Sequence, residues 1–162
     1  MKKRTISVLL QNQPGVLSRV TGLFSGRGYN IESLCVAETL DPGVSCLTLV
    51  SKGDEQIIEQ ITKQLHKLID VLKVNDISEQ EYVEREMVLI RVKAEASTRA
   101  EVLRIIDIFR GKVVDVSAKS YAVEATGTAS KIQAFIDILR PIGIKEIVRT
   151  GTIAMSRADK KK

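Results

Sequence analysis

What most constrains this chain is the order in which its apolar pattern changes period. Residues Thr5–Leu10 alternate with the two-residue period of a strand, and Val16, Leu17, Val20, Leu23 and Phe24 then recur at helical spacing. Arg27-Gly28 stops that helix, and two strand-like runs follow, Ile31–Glu38 and Val44–Val50, reversed by Asp41-Pro42-Gly43. Asp54 is placed to cap a second helix whose apolar face is Ile57, Ile58, Ile61, Leu65 and Leu68, and Val71–Val74 reads as a strand.

The same order then returns. Met87–Val92 reads as a strand. Thr98 and Glu101 have the spacing of a capping box opening a helix with Val102, Leu103, Ile105, Ile106 and Phe109 inward, and Gly111 is its expected stop. Strands are expected at Val113–Val116 and Tyr121–Ala125, a helix at Ala129–Leu139 ended by Pro141, and a last strand at Ile144–Val148. The pattern predicts an α+β chain of two tandem βαββαβ ferredoxin-like units, each an antiparallel sheet with its helices on one face. The expected boundaries are 1–77 for the first domain, 78–84 for a polar linker, 85–151 for the second domain and 152–162 for a basic tail.

Several function classes fall away. No apolar run approaches the roughly 18 residues of a membrane helix, and the first one ends at Leu10, too soon for a signal peptide, so a cytoplasmic protein is expected. Cys35 and Cys46 are offset in one hairpin, which argues for small apolar core residues rather than a disulfide. His66 is the only histidine, so no metal site is expected. There is no phosphate-binding lysine loop and no recognisable nucleophile–base set; no catalytic residues are expected. The net charge of +5 lies wholly in the second half, where residues 81–162 carry sixteen basic and eleven acidic side chains. The basic end is a solvated tail or a contact for an acidic partner or RNA. An RNA-recognition sheet needs stacking aromatics on its strands, and only Tyr121 lies in one, so nucleic acid is not an expected partner.

Several strands are apolar on both faces: Leu9 opposes Ile6, Val8 and Leu10, and Ile31 and Cys35 alternate with Leu34 and Val36. Strands buried on both sides read this way. A second copy of the chain is the expected cover, giving a homodimer.

Between the first strand and the first helix stands Asn12-Gln13-Pro14-Gly15-Val16-Leu17. Such a turn presents unused backbone N–H groups at the positive end of a helix, a place for an anion. Taken alone, Asn12 and Pro14-Gly15 also fit a plain Asx turn and helix start. The longer run Asn12-x-x-Gly15-Val16-Leu17-Ser18-Arg19-Val20-x-Gly22-Leu23-Phe24-Ser25-x-Arg27-Gly28-Tyr29-Asn30-Ile31-Glu32-Ser33-Leu34 resembles the opening ACT domain of the small, regulatory subunit of acetohydroxyacid (acetolactate) synthase. Lys63–Val71, Arg85-Glu86, Phe109–Val116 and Ile144–Gly151 are similar to later parts of the same family. Gly26 and Ala158 depart from its pattern, away from the turn.

The resemblance implies a non-catalytic regulator that binds and activates a catalytic large subunit and confers feedback inhibition by valine in branched-chain amino-acid biosynthesis. Thiamine diphosphate, Mg²⁺ and FAD are then expected on that partner and no cofactor in this chain. The effector-binding residues implied are Asn12, Gly15, Val16, Leu17, Asn30 and Ile31, with Asn30 arriving from a partner chain. The N–H groups around Gly15, Val16 and Leu17 would take the effector's carboxylate, and Val16 and Ile31 would wall its side chain. Arg19 and Arg27 stay undecided between solvated surface and contact with the large subunit. A small-molecule-sensing ACT protein acting on another partner is the alternative, and an RNA-binding ferredoxin-like protein a more distant one.

Overall fold

The computed structural model describes residues 2–158. Their elements run β1 (Lys2–Gln11), α1 (Val16–Gly26), β2 (Ile31–Glu38), β3 (Val44–Gly53), α2 (Glu55–His66), β4 (Val71–Asp76), β5 (Tyr82–Lys93), α3 (Arg99–Ile108), β6 (Lys112–Val116), β7 (Ser120–Gly127), α4 (Ala129–Leu139), β8 (Ile144–Arg149) and β9 (Ile153–Ser156). The chain forms two compact units that divide after Val83, and the segment beginning at Thr152 returns to the first. The βαββαβ order therefore occurs twice, in antiparallel sheets, as the apolar pattern requires.

In the first unit the strands lie in the order β2-β3-β1-β4. Val8 pairs with Leu47 and Ile6 with Leu49, which puts these four on one face. That face meets Val16, Val20, Leu23 and Phe24 of α1 and Ile58, Ile61 and Leu65 of α2, all buried. Each such side chain contributes roughly 1.5–3 kcal/mol by leaving water. The Asp54 carboxylate caps α2, accepting the Ile57 N–H at 2.9 Å. His66 is exposed in the last turn of α2.

The second unit orders its strands β6-β7-β5-β8. Val88, Ile90, Val92 and Val123 pack on Val102 and Ile106 of α3 and on Ile132, Phe135 and Leu139 of α4. The Phe109 and Phe135 rings meet at 5.1 Å between centroids. Tyr121 belongs to this core and is buried, so it is no stacking platform for bases.

Six expectations change. Thr98 does not form its capping box: its backbone is already helical and its side chain makes no cap bond. Residues 95–98 form a turn of their own, with the Thr98 and Arg99 N–H groups donating to the Glu95 carbonyl, and this turn leads directly into α3. Thr128, not singled out in the sequence, does cap α4 through the Lys131 N–H. The left-handed residue ending α3 is Arg110 (φ 55°), not Gly111. Gly111 is needed for closeness instead, because a Cβ there would stand 3.0 Å from the Glu124 carbonyl oxygen.

The expected linker is packed. Ser78 Oγ accepts the Thr5 N–H at 2.7 Å, Arg4 pairs with Glu79 at 2.8 Å, and β5 begins at Tyr82. Within the expected tail, Ile153–Ser156 form β9, while Asp159 and Lys160–Lys162 lie outside the described residues. The Thr152 N–H donates to Ser33 Oγ at 2.9 Å, and Arg157 N–H to the Glu81 carbonyl at 2.8 Å. Cys35 and Cys46 are free thiols, but half-buried on the outer face of the first sheet rather than in its core. On that outer face Thr5, Thr48 and Val50 are already buried within the single chain, so covering them does not require a second copy.

One ion pair stands out in the second unit. The buried Glu86 carboxylate accepts both Nε and Nη2 of Arg149, and this holds the Arg149 pKa above its usual value. Arg149 is partly exposed, so the pair's worth is that of a charged hydrogen bond rather than of a sealed ion pair. Glu86→Ala is expected to cost about 1.5–3 kcal/mol in urea unfolding of the full chain; an unchanged midpoint would contradict the assignment.

Candidate functional site

The site is built at one end of the first sheet, where β1 gives way to α1. The Gln11 N–H donates to the Asp70 carbonyl and the Asn12 N–H to the Gly43 carbonyl, both at 2.9 Å. The Asn12 side-chain amide donates to the Pro42 carbonyl at 2.9 Å. Asn12 thus spends its Nδ2 on the β2–β3 hairpin and leaves Oδ1 as an acceptor. The loop is pinned on both sides before it turns.

Gly15 is the N-cap of α1, with φ 84°, and no side chain caps the helix. An N-terminus without a cap leaves its first amides unused. The Val16 N–H reaches the Gln13 carbonyl at 3.3 Å, so that donor is partly spent. The N–H groups of Gly15, Leu17 and Ser18 take no partner among the described residues, and all three residues are exposed. Three amides near one point, at the positive end of a helix, suit a carboxylate.

Beside this turn lies an open cleft of about 320 Å³. Asn12, Val16 and Leu17 line one side, and Val36, Ala37 and Glu38 at the end of β2 line the other. Val16 is buried in the core beneath it and Leu17 is exposed at its edge. The structure thus brings together Asn12, Val16 and Leu17, with Gly15 in the same turn. Asn30 and Ile31 are elsewhere in the protomer. They open β2 at its far end, where Ile31 pairs with Ser51 while Glu38 pairs with Ser45. That is about 20 Å along the strand from the cleft. The Asn30 carbonyl accepts the Ser51 hydroxyl at 2.8 Å, and its side chain is exposed.

The structure also resolves the two arginines. Arg19 Nε and Nη2 both reach Asp70 Oδ2, at 2.7 and 2.6 Å, and Asp70 is buried. Arg19 Nη1 lies 3.3 Å from where a Cβ on Gly15 would stand. Arg19 therefore ties the first turns of α1 to the α2–β4 connection. Arg27 donates to Gln64 Oε1 at 2.9 Å and bridges the exposed ends of α1 and α2. Asp70 was missed in the sequence; its only signal is an acid set between the apolar residues Ile69 and Val71.

Comparison with known proteins decides the family. Residues 6–73 match the model of the AHAS small subunit-like ACT domain, and residues 85–158 match that of the small subunit of acetolactate synthase. The chain is 54% identical over 159 residues to the acetolactate synthase small subunit of Haemophilus influenzae, covering 98% of both chains. The chain belongs to the acetolactate synthase small-subunit family. It is also 49% identical over 159 residues to the acetolactate synthase isozyme 3 small subunit of Escherichia coli, again covering 98% of each. The crystal structure of the acetolactate synthase small subunit from Thermotoga maritima superposes with a TM-score of 0.90 at 42% identity, covering 98% of this chain and 99% of that one. In this chain the first unit is an ACT domain, and the unsatisfied turn is that domain's β1–α1 loop. Among the described residues no helix is long and apolar enough to cross a membrane, and no three His, Cys, Asp or Glu side chains gather as metal ligands.

The left-handed Gly15 makes a direct prediction. Gly15→Ala is expected to lower stability by about 1–2 kcal/mol, and Gly15→Asn by less, because Asn tolerates this backbone region. Equal losses in urea unfolding would contradict the backbone reading.

Proposed function

We propose that this chain is the non-catalytic regulatory subunit of acetolactate synthase: it binds and activates the large catalytic subunit and makes it sensitive to valine. The observation that carries the reading is the trio of unpartnered amides at Gly15, Leu17 and Ser18 beside a cleft with an apolar wall. A free amino acid has the matching chemistry. Its carboxylate meets the amides, its ammonium meets Asn12 Oδ1 or Glu38, and a branched side chain lies against Val16, Leu17 and Val36. The chain works in the cytoplasm, in branched-chain amino-acid biosynthesis. Thiamine diphosphate, Mg²⁺ and FAD belong to the large subunit, and this chain holds none of them.

A homodimer completes the site. β2 is an edge strand, so its outer backbone groups are free to pair with another strand. A two-fold contact between two antiparallel β2 edges is self-complementary. It brings Asn30 and Ile31 of one copy beside residues 36–38 of the other, which line the cleft. The 20 Å that separates the two halves of the site in one protomer then becomes a reason for pairing. Valine binding favours the arrangement of the two ACT domains in which both halves meet, and the large subunit responds to that arrangement. The ligand shifts it only by its differential affinity, typically about 1–3 kcal/mol.

Isothermal titration tests the reading. Valine is expected to bind the purified chain more tightly than a non-branched control. Gly15→Asp sets a carboxylate against the ligand's own and is expected to weaken binding at least ten-fold, with Gly15→Asn losing much less. Heat from valine that is equal for both variants would place the carboxylate elsewhere.

A further inference from the structure

The two most exposed large apolar side chains among the described residues are Leu40 and Ile69, at 106% and 91% of full exposure. They lie at the same end of the first sheet, on either side of the β1–α1 loop. Leu40 caps the β2–β3 hairpin, whose Pro42 and Gly43 carbonyls accept the side-chain and backbone N–H groups of Asn12. Ile69 precedes Asp70, whose carbonyl accepts the Gln11 N–H and whose carboxylate holds Arg19. Both apolar tips are thus fastened by hydrogen bonds to the loop that carries the free amides. Leu72 is also exposed, and Lys67 and Lys73 flank Ile69 and Leu72 with exposed positive charge.

Hydrophobic tips in full contact with water gain nothing for the free chain, and apolar anchors ringed by charge are the make-up of a protein contact. Family membership supplies a partner, the large subunit of acetolactate synthase. We propose that this loop end is the surface that docks on the large subunit, with Leu40 and Ile69 entering an apolar socket edged by acidic groups that meet Lys67 and Lys73. The Arg19–Asp70 pair is then the tie through which ligand held at the neighbouring loop is felt at Ile69. The docking surface rests on the exposed Leu40 and Ile69 and on family membership, not on the effector site; the tie rests also on the proposed effector site.

The test uses the full chain and the purified large subunit. Without valine, Leu40→Asp and Ile69→Asp are each expected to weaken large-subunit binding at least ten-fold, while Ile108→Asp, also solvent-facing but in the second unit, leaves it unchanged. Raising the salt concentration is expected to weaken the wild-type complex. Undiminished binding by both loop variants, or an equal loss in Ile108→Asp, overturns the surface. Calorimetry on the same variants separates the two claims. Valine affinity within three-fold of wild type supports the assignment, and its loss in Leu40→Asp and Ile69→Asp moves these residues into the effector site and overturns it. Asp70→Asn, which breaks the ion pair but keeps the shape, is expected to bind both valine and the large subunit yet lose at least ten-fold in the valine response of the complex. A full response in that variant overturns the tie. If the wild-type chain takes up no valine, the effector reading fails while the binding result still decides the surface.

Discussion

A helix that starts without a side-chain cap leaves its first amides to be satisfied from outside. In this chain the choice is enforced locally. Gly15 is left-handed and has no side chain to offer, and Pro14 before it has no N–H. The loop cannot relax to recover these bonds, because Gln11 and Asn12 are pinned to the turns on either side. In the proposed reading, the effector's carboxylate satisfies them with charge, at a fixed place relative to β2. The remainder of the first unit supports this one turn: Val16, Val20 and Phe24 root α1 in the core, and the Arg19–Asp70 pair holds it from the far side.

Under the proposed function, the same geometry gives two copies of this unit a reason to pair. Within one protomer the cleft is open on the side of β2, and the strand's other edge is unpaired. Pairing through that edge adds hydrogen bonds and closes the cleft together. In the proposed dimer, binding at a seam between two copies would turn ligand occupancy into a change in how the copies sit, which a third protein could sense. The second unit has no such turn. Its β5–α3 connection contains no glycine and forms a hydrogen-bonded turn of its own at 95–98, in which the Thr98 and Arg99 N–H groups both donate to the Glu95 carbonyl.

Much of the fold was legible from period alone. Strand and helix runs were found in the right order, and β2 and α4 with their full extents, because their apolar stripes are long and their ends carry turn residues. What escaped were features decided by contacts between distant residues. The capping box at Thr98 had the right letters, but the preceding turn set its backbone. The segment 152–158 looked like a tail because its binding partner, Ser33, is 119 residues away. At the site, the turn at Asn12–Leu17 was visible as a motif. The separation of Asn30 from it, and the hold of Asp70 on Arg19, follow from strand register and burial, which no local window contains. Arg110 and Gly111 exchange expected roles for the same reason, since the close approach of β7 at Glu124 determines where glycine is required.

The central claim is that one copy's Gly15 turn and another copy's Asn30 form a single site. Mixing two disabled chains tests it most directly. A Gly15→Asp chain and an Asn30→His chain, each expected to bind valine at least ten-fold more weakly by itself, are exchanged into mixed dimers and titrated. A site shared between copies predicts that binding returns at one site per mixed dimer, formed by the intact turn of one chain and the intact Asn30 of the other. If every site belonged to one chain, mixing would restore nothing, and that result would contradict the account.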